Sequence, residues 1–178
     1  GALVLAAGAR VDRWTIRDGF YRENDGAGAL VSTTTYAARA GWDASFRGGL
    51  LYRASEGVAL RAAAYSGLRL PTLNELYRPF VVFPVVTQAN AALENERLEG
   101  FELGVDVTPV PGVGLSLTAF DNRVKNAVAN VTLDTNLRQR RNIDAVHARG
   151  IEASIAATLG EVSFDASAAW TDAEAQGS

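Results

Sequence analysis

The chain has 178 residues, 48% of them hydrophobic, and a formal net charge of -3. That length supports an ordered domain, and the charge gives no reason to expect nucleic acid, which selects a basic face. The absence of cysteine removes disulfides, thiolate metal sites and a cysteine nucleophile, and no apolar run reaches the roughly 18 positions of a membrane helix.

What the apolar residues do is alternate. In residues 3–14, Leu3, Leu5, Ala7, Ala9 and Val11 fall on one side of an extended chain, and Arg10, Asp12 and Trp14 on the other, which predicts a two-faced strand. Residues 42–52 set Trp42, Ala44, Phe46, Gly48, Leu50 and Tyr52 against Asp43, Ser45 and Arg47. Residues 58–69 set Val58, Leu60, Ala62, Ala64 and Leu68 against Arg61, Tyr65 and Arg69 before Pro71 breaks the pattern. In residues 98–108, Phe101, Leu103, Val105 and Val107 oppose Glu102 and Asp106; in residues 113–122, Val113, Leu115, Leu117 and Ala119 oppose Ser116, Thr118 and Asn122. Residues 151–159 and 162–170 repeat the pattern, with Glu152, Ser154 and Thr158, then Ser163, Asp165 and Ser167, on the polar side. The alternation predicts about seven strands and an all-β fold.

The connections alternate in length. Residues 55–57, 109–112 and 160–161 carry the glycine or proline of tight turns, whereas residues 15–41, 70–97 and 125–149 are long. Short turns at one end and long loops at the other predict an antiparallel transmembrane β-barrel segment, with the turns periplasmic and the loops extracellular. A soluble sandwich would also bury one face of each strand. The aromatic residues favour the barrel: Trp42, Phe101 and Trp170 lie toward the loop ends of the apolar faces, and Tyr52 and Phe164 toward the turn ends, as membrane girdles do.

Four segments carry a family resemblance: SGLRLPTLNELYRPF (residues 66–80), LENERLEGFELGVDV (93–107), LSLTAFDNRVKNAVANVTL (115–133) and RQRRNIDAVHARGIEASI (138–155). In order and spacing they resemble the β-barrel of TonB-dependent outer-membrane receptors. The resemblance implies a wall segment of a barrel of about 22 strands, filled in the whole receptor by an N-terminal plug. It also implies residence in the outer membrane of a Gram-negative bacterium and energy from the inner-membrane TonB complex. The expected activity is uptake of a scarce nutrient, most simply a ferric siderophore or similar metal chelate. The competing reading is a soluble or passively pore-forming β-domain without energy coupling. Residues 1–178 are expected to be a partial barrel, with plug and last strands outside them, because the count of strands cannot close such a barrel and the chain ends in AEAQGS.

Candidate ligand contacts in the loops are Arg69, Tyr77, Arg78, Phe80, Phe83, Arg138, Arg140 and Arg141, the last three offering cationic donors to an anionic chelate. Residues 78–87 read as a projecting hairpin or as a hydrophobic binding surface. The strand charges Arg10, Asp12, Arg47, Arg61, Glu102, Asp106 and Glu152 are expected to face the lumen or plug, and Trp42, Tyr52, Phe101, Phe164 and Trp170 to form the girdles. Haem receptors of the family carry a FRAP box, an NPNL box and a histidine between them. The equivalents here are LRLP (residues 68–71) and ENER (94–97), with no histidine between; His147 reads as a solvated loop-end residue. No catalytic residue, resident metal or cofactor is expected, and no enzyme signature is found.

Overall fold

The computed structural model describes residues 2–177. Its strands are β1 (Leu3–Ile16), β2 (Phe20–Asn24), β3 (Leu30–Thr35), β4 (Arg39–Ser55), β5 (Val58–Arg69), β6 (Phe80–Val82), β7 (Val85–Gln88), β8 (Glu96–Val110), β9 (Val113–Asp134), β10 (Leu137–Leu159) and β11 (Val162–Gln176), with one short helix, α1 (Leu73–Tyr77). A nine-stranded sheet runs β1-β4-β5-β8-β9-β10-β7-β6, with β11 also on β10; β2 and β3 form a separate hairpin. Long neighbours pair antiparallel, as short reversals require, and among the described residues β7 on β10 is the parallel pairing.

Each predicted strand is present. The short reversals fall at Glu56-Gly57, Pro111-Gly112 and Gly160-Glu161. Gly112 (φ 84°) and Gly160 (φ 65°) hold the left-handed backbone that such turns need. Pro109 lies inside β8, one correction to the expected turn at residues 109–112. The larger correction concerns residues 125–149, expected as a loop. β9 and β10, 22 and 23 residues long, stay paired up to a turn at Thr135-Asn136. The apolar alternation fades after Ala119, but a backbone ladder needs no apolar side chains.

Register fixes the two faces. The row Leu5–Leu50–Ala62–Leu103–Ala119–Ile151–Trp170 crosses all the long strands on one side. These apolar side chains stay open to the surroundings: Leu5 is 69% exposed, Leu103 52% and Trp170 60%. The buried core lies elsewhere, at the loop end, where Leu76 and Leu93 are fully enclosed.

Candidate functional site

On the apolar face the residue type changes at nearly the same level on successive strands. Along β9, Val113, Leu115, Leu117 and Ala119 give way to Asp121 and Arg123; along β10, Ile155 and Ile151 give way to Arg149 and His147; along β11, Phe164 and Trp170 give way to Asp172 and Glu174. On β8, Phe101 is the last apolar residue before Glu99. The charged side chains pair with one another just beyond that line: Lys125 with Glu99 at 2.7 Å, His147 Nε2 with Asp121 at 2.8 Å and Arg149 with Asp172 at 3.2 Å. On β1 and β4, Arg13 stacks over Trp42, 5.7 Å from the ring centre. An apolar band edged by aromatic rings and then charge is the outer surface of a membrane barrel. Phe101, Trp170 and Trp42 stand at its loop edge, and Tyr52 and Phe164 near the turns, all on this face. His147 is corrected from a loop-end residue to one within β10 on the outward face, hydrogen-bonded across the ladder.

The opposite face is polar and largely self-satisfied. Arg61 donates to Asp106 at 2.7 and 3.1 Å, to Ser116 at 2.9 Å and to Thr118 at 3.2 Å. The Tyr65 hydroxyl donates to Glu102 at 2.7 Å and lies 3.0 Å from Asn122 Oδ1. These long side chains lie flat because each faces a glycine: Arg61 pairs with Gly104, Tyr65 with Gly100, Trp14 with Gly41 and Phe120 with Gly150. A Cβ on Gly104 would stand 2.9 Å from the Arg61 guanidinium, and one on Gly41 2.6 Å from the Trp14 ring. All seven charges expected on this face, Arg10, Asp12, Arg47, Arg61, Glu102, Asp106 and Glu152, are on it by register. Arg10 and Asp12 pair with each other at 2.6 Å. Arg47 and Glu152 have no hydrogen-bonded or ionic partner among the described residues.

At the loop end, residues 70–97 form a strap across the polar face. The strap leaves β5, passes inside β8, β9 and β10, and adds β7 to the far edge of β10. A capping box starts α1: Thr72 accepts from the Glu75 amide, and Glu75 accepts from the Thr72 amide. Leu76, Leu93 and Tyr77 pack with Ile16, Tyr36, Ala91 and Val128. Arg39 donates to the carbonyls of Ala91 (2.9 Å) and Leu93 (2.7 Å), Asn142 receives the Glu94 amide at 2.8 Å, and Arg140 donates to the carbonyls of Asn74 and Arg78. Arg69 bridges Glu75 and Glu96. Burial opposes ionisation of both carboxyls, but Arg69, with backbone and hydroxyl donors, outweighs it and holds them below the usual range.

The strap also anchors a seam in the wall. β4 and β5 pair only up to Arg47–Tyr65, whereas β4 stays with β1 to Arg39 and β5 with β8 to Arg69. Side chains close the gap: Ser66 Oγ accepts from the Phe46 amide at 3.0 Å, and Asp43 accepts from Trp14 (2.8 Å), Asn95 (3.1 Å) and Arg97 (2.7 Å).

The candidate ligand contacts are thereby sorted. Tyr77, 7% exposed, belongs to the buried cluster, and Arg69 to the bridge. Phe80 lies under Arg140, 4.9 Å from its guanidinium carbon, and Phe83, 93% exposed, caps the β6–β7 turn. Arg138 and Arg140, two apart on β10, share a face and Arg141 lies on the opposite one, so the three do not form one cluster. Arg140 holds the strap, whereas Arg141 donates to Gln139 at 2.9 Å. Arg78 is exposed and lines a groove together with Leu73. Among the described residues no three acidic or histidine side chains converge as a metal-binding group.

Such a two-sided sheet, apolar outside and polar inside, is a wall segment of a transmembrane β-barrel. The sequence matches the family described as TonB dependent receptor-like, beta-barrel over residues 1–178, and the chain belongs to that family. Its members are transport receptors rather than enzymes, with barrels in the outer membrane of Gram-negative bacteria. The fold is shared with the hemophore receptor HasR of Serratia marcescens, solved with its hemophore HasA and heme: 19% identity, TM-score 0.75, 98% of this chain and 32% of that one. The copper transporter OprC aligns at 17% identity and TM-score 0.71, over 96% of this chain and 27% of its own. The siderophore receptor PirA of Pseudomonas aeruginosa aligns at 20% identity and TM-score 0.66, over 76% and 29%. At these identities the likeness concerns the fold, and the chain spans about a third of those structures or less. No curated protein matches the sequence at a significant level.

Proposed function

We propose that these residues are part of the wall of an energy-coupled outer-membrane receptor of a Gram-negative bacterium, which takes up a scarce nutrient, a ferric siderophore or similar metal chelate. The observation that carries the reading is the sharp division of the sheet into an apolar outward face and a hydrogen-bonded polar face, in a chain of this family. The outward face meets outer-membrane lipid up to the charged line at Asp121, Arg149 and Asp172. The polar face meets the lumen, where a plug from elsewhere in the whole protein sits. Arg47 and Glu152, without partners among the described residues, are the charges available to that plug or to water. The TonB complex acts through the plug and not through this wall. Transport, not catalysis, is the activity.

The test is uptake of radioactive iron by source cells supplied with mixed ferric chelates. Uptake that falls on deletion of the gene, and also on collapse of the proton-motive force, is the expected result. Uptake that is insensitive to the uncoupler would support a passive pore and overturn the energy-coupled reading.

A further inference from the structure

A groove of about 370 Å³ lies between the base of the β2–β3 hairpin and the strap, outside the membrane band. Its base is fixed. Tyr36 and Tyr77 stack with ring centres 4.4 Å apart, the Tyr36 amide donates to the Gly19 carbonyl at 2.9 Å, and a Cβ on Gly19 would stand 2.9 Å from the Tyr77 ring. Around the groove stand Arg17, Arg22 and Arg78, with Phe20, Tyr21 and Leu73 between them. None of the three guanidiniums has a hydrogen-bonded, ionic or ring partner among the described residues. Four other arginines at the mouth, Arg39, Arg69, Arg97 and Arg140, by contrast hold structure. Asp18 is the acidic lining residue, so the groove is positive. Its apolar surfaces are open, with Phe20 64% and Leu73 67% exposed.

From this arrangement we infer that the groove is the outer docking site for an anionic, aryl-bearing metal chelate of the catecholate class. Three fixed-charge donors match the charge spread over such a chelate's oxygens, and the exposed Phe20, with the half-buried Tyr21 also lining the groove, offers a face on which its rings stack. A neutral aliphatic chelate would satisfy neither feature. The inference deepens the transport reading and rests on it. It also explains why two segments remote in sequence, residues 17–22 and 73–78, are locked together at Gly19 and Tyr77.

The experiment uses the purified intact receptor in detergent, titrated by quenching of its intrinsic fluorescence. The probes are a synthetic ferric tris-catecholate, which is trianionic, and a neutral ferric tris-hydroxamate. Wild type should prefer the catecholate, and the triple variant Arg17→Ala/Arg22→Ala/Arg78→Ala should lose at least about tenfold in affinity for it. The corresponding triple lysine variant should retain part of that affinity, and Arg123→Ala on the outward face should change nothing. Heat-modifiable migration on gels reports whether each barrel is folded. Equal catecholate affinity in the folded triple-alanine variant, or preference for the neutral probe, would overturn the inference while leaving energy-dependent iron uptake intact. Failure to bind either probe, together with no gene-dependent iron uptake, would sink the transport reading and this site with it.

Discussion

The membrane band and the mouth are held together by different means. In the band, neighbouring strands are joined by continuous ladders, and on the proposed reading lipid is the solvent of the outward row, whose side chains then need no burial within the chain. In the mouth, the β4–β5 ladder has stopped, and a core of Leu76, Leu93 and Tyr77, with arginine-to-carbonyl bonds, does the joining. The band should therefore be indifferent to the loss of any one apolar contact and sensitive to charge or bulk. The mouth should behave like a small soluble domain.

The largest effect that would break this comparison is in the mouth. Leu93→Ala empties a fully buried position and should destabilise the strap by about 2–5 kcal/mol. Limited proteolysis should then cut within residues 70–97 while the barrel keeps its heat-modifiable migration; simultaneous loss of both would mean the regions are not separable. Next, Leu117→Arg places a charge within the apolar run of β9 and should cost about 2–4 kcal/mol in a lipid refolding titration, whereas Ser167→Arg, at an exposed position on the other face of β11, should cost much less. Smaller is the glycine effect. A Cβ at Gly100 falls within the Tyr65 ring and Asn122, so Gly100→Ala should cost about 1–3 kcal/mol, while Gly48→Ala, whose nearest contact is 4.0 Å, should be near neutral.

The smallest effect is that of pH on the Arg69 bridge. Glu75 and Glu96 have folded pKa values below the ordinary 4.5. Their stabilisation is complete above that value and is lost as pH falls through the lowered ones. Arg69 is 44% exposed, so solvent screening limits the bridge to about 1 kcal/mol or less. Proteolysis of the strap should accelerate at low pH, and Arg69→Gln should flatten that dependence.

The band was legible in the sequence because a strand with one face in lipid and one in water writes its register as a period of two. The faces of Arg61, Glu102 and Glu152 followed directly. The upper parts of β9 and β10 were not legible: beyond Asp121 the outward residues become charged, and the pattern that marked the strand disappears while its hydrogen bonds continue. Adjacency misled at Arg140 and Arg141, since neighbouring charges on a strand fall on opposite faces. Arg17 and Arg22 carried no local signal at all. They meet Arg78 only because a glycine without a side chain lets the hairpin rest on the ring of Tyr77.

The central claim is that lipid lies on one side of the sheet and not on the other. With no native cysteine in these residues, a spin label can be placed at one position at a time, at Leu115, Leu117, Ser116 or Thr118 of β9, in the intact receptor in membranes with any cysteine elsewhere replaced. Collision with dissolved oxygen should dominate at Leu115 and Leu117. At Ser116 and Thr118 it should be low, with access to a water-soluble nickel chelate governed by the lumen. Equal oxygen access at odd and even positions, or the reverse alternation, would contradict the account.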